Sequence, residues 1–361
     1  MIVDIPMRLG LLTFLFAIIG SGIICLTIGV LYLIVRLIVY TFSRRRTAVY
    51  PFVYTAVFLL VICWGMIGYG YWVGRYQIEV KQTAFVHPAI PAAFDGYKIV
   101  HISDLHLATF ADRPAALQRV VDSINTQAPD MICFTGDIVT IGVEEALPFR
   151  TILQQLHARD GVFSVLGNHD LMIYGNKTSQ ERARQVGILV TFERDSLGWN
   201  VLRDTSCVVV RAQGVSSEGI AVYDSLTILG VDNCSCEGQG FRSIYHGDLS
   251  AAMRHTGGFR ILLSHDPTLW RAEVQRTDIP LTLSGHTHSG QLRVFGHPLA
   301  GLIFQETAGW YYHPAHDEKN PEQQPTTEMR QALYVNSGVG CTLPVRVNCP
   351  AEITVITLSA E

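Results

Sequence analysis

Five short stretches of this chain set Asp, Asn or His at the end of an apolar run. They are "SDLH" (Asp104, His106), "TGD" (Asp137), "GNHD" (Asn168, His169, Asp170), "LSHD" (His265) and "SGHTHSG" (His286, His288). In D-x-H and H-x-H an extended backbone sends alternate side chains the same way, so both members of each pair can reach one centre. Carboxylate oxygen, amide oxygen and imidazole nitrogen together suit first-row divalent ions such as Mn, Fe or Zn, rather than Mg alone. Two ions held close need a shared ligand, and a carboxylate with its two oxygens can bridge; Asp137 is the natural candidate. Each stretch alone reads as something ordinary. "TGD" is a common strand-to-turn ending, "GNHD" suits a plain turn, and His265 suits a core position. An exposed loop carries an HxH pair freely. The conjunction of five such ends, with metal-competent residues at each, is what points to one site.

The elements that must position these residues alternate along the chain. "KIVHISD" reads as a strand and "RPAALQRVVDSINTQ" has helical period. "DMICFTGD" is a second strand, "EEALPFRTILQQLHA" a helix with Pro148 in its first turn, "GVFSVLGNHD" a third strand, and "KTSQERARQVG" a helix. Such alternation predicts an α/β domain, and in open α/β sheets ligands bind beyond the carboxyl ends of the strands. Further strand candidates are "CVVVRA", "LTILGVD", "FRILLSH", "PLTLSGH", "ALYVNSG" and "EITVITL", with the helical "PTLWRAEVQR" among them. So many strands predict more than one sheet in a single domain. The polar stretch 313–331 reads as a surface insertion, and no internal repeat is visible.

Of the 361 residues, 48% are hydrophobic and 16% charged, too apolar for a purely soluble enzyme. The excess lies in Leu9 to Val35 and Thr47 to Gly74, neither of which contains Asp, Glu, Lys, Arg or His. Each run exceeds the ~20 residues a helix needs to cross a bilayer core. Each is also longer than the ~7–15 apolar residues of a signal-peptide core. The predicted organisation is a two-helix membrane hairpin over 1–75, a linker with an edge strand over 76–97, and the α/β domain over 98–361. Arg36, Arg44, Arg45 and Arg46 in the connector outweigh Arg8, Arg75 and Lys81 on the other side. This predicts a cytoplasmic connector and an extracytoplasmic domain. Trp64, Tyr69, Tyr71 and Trp72 fit an interfacial aromatic belt. Neither run carries a charge that could line a transport path, which ranks a channel or transporter last. The net charge of −4, with no basic stripe, gives no hint of nucleic-acid binding, and no nucleic-acid partner is expected. The eight cysteines form no disulfide framework, though one or two bridges would suit an exported domain, and the Cys234–Cys236 pair reads as a loop rather than a metal site.

The order D-x-H, G-D, G-N-H-[DE], a lone H, then G-H-x-H resembles the calcineurin-like metallophosphoesterase superfamily over roughly residues 98–361. "GYKIVHISDLHLA", "GHTHSGQL" and "LYVNSGVGCTLPVRVNCPAEITVITL" are similar to its bacterial branch with N-terminal membrane or export segments. The resemblance implies a four-layer α/β/β/α sandwich, preceded here by the two membrane helices. It implies a two-metal site with Asp104, His106 and His288 on one ion, Asn168, His265 and His286 on the other, and Asp137 bridging. A hydroxide held between the ions would attack phosphorus, and His169, which is not a ligand, would protonate the leaving oxygen. Many relatives carry a second aspartate three positions after the bridging one, steadying that histidine; here the position is Thr140, with Glu144, Glu145 or Asp170 open as substitutes. The arginine that follows that aspartate in protein Ser/Thr phosphatases is also missing, which disfavours a phosphoprotein substrate. Arg293 and Arg346 are candidates to meet a substrate phosphate, against the default of exposed arginines.

The expected protein is a membrane-anchored phosphoesterase acting on a phosphodiester, phosphomonoester or pyrophosphate, in a phosphorylated small molecule or a lipid-linked envelope substrate. Hydrolysis of UDP-2,3-diacylglucosamine is the alternative, and it needs a cytoplasmic domain. A catalytically silent metal-binding scaffold is the alternative of another class, for which only Thr140 speaks.

Overall fold

In a computed structural model of the protein, the residues described are 4–174, 177–215, 217–235, 247–314 and 331–360. Most of the polar stretch 313–331, and Cys236, lie outside the described residues. The strands are β1 (Ile78–Val86), β2 (Lys98–Ile102), β3 (Met131–Phe134), β4 (Val162–Ser164), β5 (Asn200–Val201), β6 (Thr205–Val215) and β7 (Ala221–Gly230). They continue with β8 (Phe259–Leu263), β9 (Leu281–Ser284), β10 (Arg293–Val294), β11 (His297–Pro298), β12 (Gly309–His313), β13 (Gln331–Val335) and β14 (Ala351–Ser359). The α-helices are α1 (Asp4–Ser43), α2 (Tyr50–Trp72), α3 (Pro114–Thr126), α4 (Arg150–Leu153), α5 (Ser179–Thr191), α6 (Leu249–Ala252) and α7 (Thr268–Ala272).

Two six-stranded sheets result, ordered β1-β14-β2-β3-β4-β5 and β12-β13-β9-β8-β7-β6. Period-2 alternation sorts their side chains into layers. Ile99, Cys133 and Phe163 of the first sheet face Leu226, Ile261, Leu283 and Tyr334 of the second across a shared core. On the outer face of the first sheet, Val100, Ile132 and Phe134 meet Leu117 and Val121 of α3 and Leu189 of α5. On the outer face of the second, Leu229, Leu262 and Leu333 meet Leu249 of α6 and Leu269 and Trp270 of α7. The architecture is therefore α/β/β/α. Strands β2, β3, β4 and β5 run parallel, as do β7, β8, β9 and β13. Parallel pairing brings the carboxyl ends of β2, β3 and β4 to one edge, and likewise those of β8 and β9, which is where the polar motifs begin.

The helix expected over 144–158 is not continuous. Two 3₁₀ turns, Val143–Glu145 and Leu147–Phe149, precede the single turn of α4. Pro148 lies within the second of these turns, and the Glu145 carboxylate is engaged with backbone N–H groups of the preceding loop rather than lying on a helix face. Short strands β5, β10, β11 and β12 carry too little alternation to be read from sequence. The described cysteines are all unbridged.

Helices α1 and α2 are candidate membrane spans, over Thr13–Ser43 and Tyr50–Tyr76. They pack antiparallel: Trp64 Nε1 donates to Ser21 Oγ at 3.0 Å, and the Phe14 and Trp64 rings meet edge-on at 5.9 Å. The end of α2 is seated on the α/β domain. Arg75, buried, pairs with Asp112 at 2.6 Å, and the Tyr76 hydroxyl donates to the same carboxylate at 2.8 Å. A Cβ on Gly74 would stand 2.0 Å from the Arg346 carbonyl oxygen, so only glycine permits this approach.

A π-helical turn, Phe192–Ser196, follows α5 and buries Glu193 completely, its Oε2 accepting from Ser164 Oγ at 2.7 Å and its Oε1 without a partner. Burial pushes this carboxyl from the ordinary 4.5 up to about 7. The folded protein therefore holds the proton more tightly than the unfolded chain. Below the unfolded pKa both states are protonated and nothing is lost; stability falls as pH rises from there through the folded pKa. The loss at about pH 8 is on the order of 2–3 kcal/mol. Glu193→Gln should raise the melting temperature at about pH 8 and leave it unchanged at about pH 4, the difference opening between. An equal gain at both ends would show that the buried charge is not its source.

Candidate metal centre

Asp104, His106, Asp137, Asn168, His169, His265, His286 and His288 sit two to five residues past a strand end, in backbone that leaves the sheet sharply. Asp104, His106, Asp137, His286 and His288 all adopt positive φ, between 37° and 69°. Such conformations cost roughly 1–3 kcal/mol each in residues other than glycine and cluster where function holds them. Here they turn the side chains of two sheets inward. Between the sheets, the His286 N–H donates to Asp104 Oδ2 at 3.0 Å. Gly285 makes that contact possible, because a Cβ there would stand 1.8 Å from Ser103 Oγ.

The sequence-predicted residues converge into two adjoining groups of donors. In the first, His106 Nε2 and His288 Nε2 face each other at 3.1 Å. Asp104 Oδ1 lies 3.2 Å from His288 Nε2 and 3.8 Å from His106 Nε2. In the second, Asn168 Oδ1 lies 2.9 Å from both His265 Nε2 and His286 Nδ1. Asp137 Oδ2 stands between the groups, 3.6 Å from His106 Nε2 and 3.2 Å from His265 Nε2. Asp104, His106, Asp137, Asn168, His265 and His288 are all buried.

The donor set fits divalent cations. Asp104 Oδ1 is buried with no hydrogen-bond partner, an arrangement that is costly unless a cation or proton meets it. His265 Nδ1 is held by the Thr135 carbonyl at 2.7 Å, so its Nε2 is the atom turned toward Asp137 and Asn168. His106 Nδ1 is likewise held by Thr140 Oγ1 at 3.3 Å. Asn168 donates from Nδ2 to Tyr174 Oη at 2.9 Å, which turns its oxygen inward. Burial opposes charge on His265, yet Asp137 pushes its imidazole up to about 10. Burial would also raise Asp137, but His265, His169 and His106 together hold its carboxyl below the usual carboxylate range. Burial lowers the His106 and His286 imidazoles, which favours the neutral ring, with one nitrogen carrying hydrogen and the other free to act as a ligand.

His169 stands beside both groups without sharing their geometry. Its N–H donates to Asp137 Oδ1 at 2.8 Å, and its Nδ1 donates to the Thr140 carbonyl at 2.6 Å. The ring packs at 4.3 Å from that of Tyr174. Thr140 thus steadies His169 with a backbone carbonyl, where an aspartate side chain would be expected. The loop that presents this carbonyl is fixed by Glu145, whose carboxylate accepts from the N–H groups of Thr140, Ile141 and Gly142 at 2.6, 2.7 and 3.2 Å. Asp170 has a different task. It accepts from the N–H groups of Asp137, Ile138 and Gly167 at 2.6, 2.9 and 2.9 Å, joining the loops after β3 and β4.

Arg346 is neither exposed nor free for a substrate. It is fully buried and donates to the carbonyls of Gly340, Ser337, Gly338 and Cys349 at 2.6, 3.0, 3.0 and 3.2 Å. Closure of the chain around residues 337–349 needs a fixed multidentate donor, and this arginine is it. Arg293 donates to Ser289 Oγ and Ser337 Oγ at 3.3 and 3.4 Å. The arginine that does line the cavity over the donors is Arg182, on α5. Asp266, at 3.6 Å from His286 Nε2, and Tyr174 also belong to the site. Asp266 follows His265 directly in "LSHD", so adjacency offered a signal; Tyr174 lies in an irregular loop and offered none.

Residues 97–290 match the family model described as calcineurin-like phosphoesterase. The chain is 33% identical over 302 residues to YkuE of Bacillus subtilis (strain 168), named an uncharacterised metallophosphoesterase, across 81% of this chain and 90% of that one. An uncharacterised metallophosphoesterase of Aquifex aeolicus is 27% identical over 292 residues, 79% of this chain and 94% of that one. A transmembrane protein with metallophosphoesterase domain from Danio rerio is 29% identical over 277 residues, 74% of this chain and 54% of that one.

Proposed function

Because this chain belongs to the calcineurin-like phosphoesterase family, and is thus a metal-dependent phosphoester hydrolase, we propose that it works with two divalent ions at a membrane-tethered site. Asp104, His106 and His288 would hold one ion and Asn168, His265 and His286 the other, with Asp137 shared. The observation that carries this reading is the place of Asp137 Oδ2, which faces an imidazole nitrogen of each group, at 3.6 and 3.2 Å. Oxygen and imidazole donors in this mix suit Mn, Fe or Zn. When bound, such ions supply an activated water and offset the charge that grows on phosphorus-bound oxygens.

The chain's own residues do the rest. His169 is pinned through Nδ1, which leaves Nε2 as the atom able to deliver a proton to the leaving oxygen. Arg182 lines the same cavity and offers its charge to the phosphoryl group. The arginine-rich connector at residues 44–46 supports a domain outside the cytoplasm, since α1 and α2 return the chain to the side where it began.

The test is removal and return of metal. Full-length protein stripped with a chelator should lose hydrolysis of bis(p-nitrophenyl) phosphate, and Mn²⁺ should restore it. A protein inert toward monoesters, diesters and pyrophosphates after loading with Mn, Fe or Zn would favour the silent scaffold instead. A compartment-sensitive reporter fused after Glu361 tests the topology. A cytoplasmic signal there would sink the extracytoplasmic placement and turn attention to nucleotide-linked lipids.

A further inference from the structure

The cavity above the donors has a volume of about 1130 Å³ and does not end at the polar residues. From Asp137, His169 and His286 it continues between two apolar walls. One wall belongs to the α/β domain and includes Leu299, Ile303 and Leu343; the other is made by Phe16 of α1 and by Met66 and Ile67 of α2. Pockets for small molecules run to roughly 300–1,000 Å³ and bury most of the ligand's surface. This one instead opens along the candidate membrane spans.

Depth along α2 can be reckoned from the connector. With Tyr50, where α2 begins, at one headgroup layer, a rise of about 1.5 Å per residue puts Cys63 and Ile67 about 20 and 26 Å along the span. Both depths fall inside a hydrocarbon core of about 30 Å, in the leaflet nearer the α/β domain. The apolar wall of the cavity is therefore open to lipid at acyl-chain depth. The opposite wall carries its own apolar edge: Phe295 is 97% and Leu302 82% exposed, on the segment that joins β10, β11 and the 3₁₀ turn Leu299–Leu302. Exposed side chains of this size beside two membrane spans belong against lipid rather than water.

The geometry points to a substrate that carries a hydrocarbon chain: a phosphoester whose phosphate reaches the donors while its tail lies between α1–α2 and the Leu299–Phe304 wall, drawn sideways from the bilayer. This rests on the reading of the donors as a phosphoesterase centre and specifies what that centre acts on. A water-soluble phosphoester would meet the same donors but leave the apolar walls unpaired. A buried methylene contributes about a three- to fourfold gain in binding, so turnover should depend on tail length.

The experiment uses full-length, metal-loaded protein in one detergent and a series of alkyl p-nitrophenyl phosphodiesters from ethyl to dodecyl. kcat/KM should climb with chain length, mainly through KM, and level off once the channel is filled. Ile303→Ser, and separately Met66→Trp to fill the channel, should flatten the series while leaving the ethyl ester unaffected. Those variants separate the channel from simple partition of the longer esters into detergent, which they would not alter. A series that is flat in wild type, or equally steep in wild type and both variants, overturns the tail channel while the centre stands. Failure to hydrolyse even the ethyl ester overturns the centre itself.

Discussion

Asp137→Asn is expected to abolish phosphodiester hydrolysis, lowering kcat/KM by about a thousandfold or more, while the protein stays folded. The size follows from what a shared ligand does: metal stabilisation of the transition state is worth several kcal/mol, and about 1.36 kcal/mol is tenfold in rate. The substitution keeps the shape of the side chain and leaves Oδ1 able to accept from the His169 N–H, now 2.8 Å away. It removes the negative charge that the surrounding imidazoles stabilise, and with it the oxygen that faces both donor groups. Metal content should fall from two ions toward one, read by elemental analysis of the purified protein. Retention of both ions with full activity would remove Asp137 from the bridging position.

His169→Asn should separate chemistry from metal binding. General acid catalysis contributes about 10²- to 10⁴-fold, so kcat should drop by that order for an alkyl leaving group with metal content unchanged. For p-nitrophenolate, which leaves without a proton, the loss should be far smaller. A rate that falls equally for both leaving groups would argue that His169 positions something rather than donating a proton. Glu145→Ala extends the test through the loop: the Thr140 carbonyl that holds Nδ1 would lose the carboxylate that fixes its strand of N–H groups. An intermediate loss in kcat, again confined to poor leaving groups and with KM little changed, is the expected result.

The donors were legible because each is tied to a strand end, and strand ends are visible where apolar alternation stops and Gly, Asn and Asp begin. Asp104, His106, Asp137, Asn168, His265, His286 and His288 were named on that basis and do converge in space. That the domain is α/β with more than one sheet was legible in the succession of strand-like apolar runs and helical stretches, β2, β3, β8 and β9 being almost wholly buried, while the four-layer order was implied by the family resemblance. What sequence hides is contact through backbone and over distance. The support for His169 comes from a carbonyl, which every residue has, so no residue type marks Thr140 for that role. Arg346 read as an exposed arginine or a phosphate contact because its carbonyl partners come from a loop whose closure is a tertiary event. Glu145 and Pro148 satisfied a helical pattern while the loop preceding them needed the carboxylate, and the local contact prevailed. The apolar cavity was invisible for a further reason: its walls come from opposite ends of the chain and meet only once α2 docks on residues 345–347.

The most direct test of the account is a titration of metal-free, full-length protein with Mn²⁺, following ions bound per chain and hydrolysis of bis(p-nitrophenyl) phosphate in the same samples. The account predicts two bound ions per chain, with turnover rising as the second is taken up. Two tightly held ions without turnover of any phosphoester, or full turnover with a single ion, would contradict it.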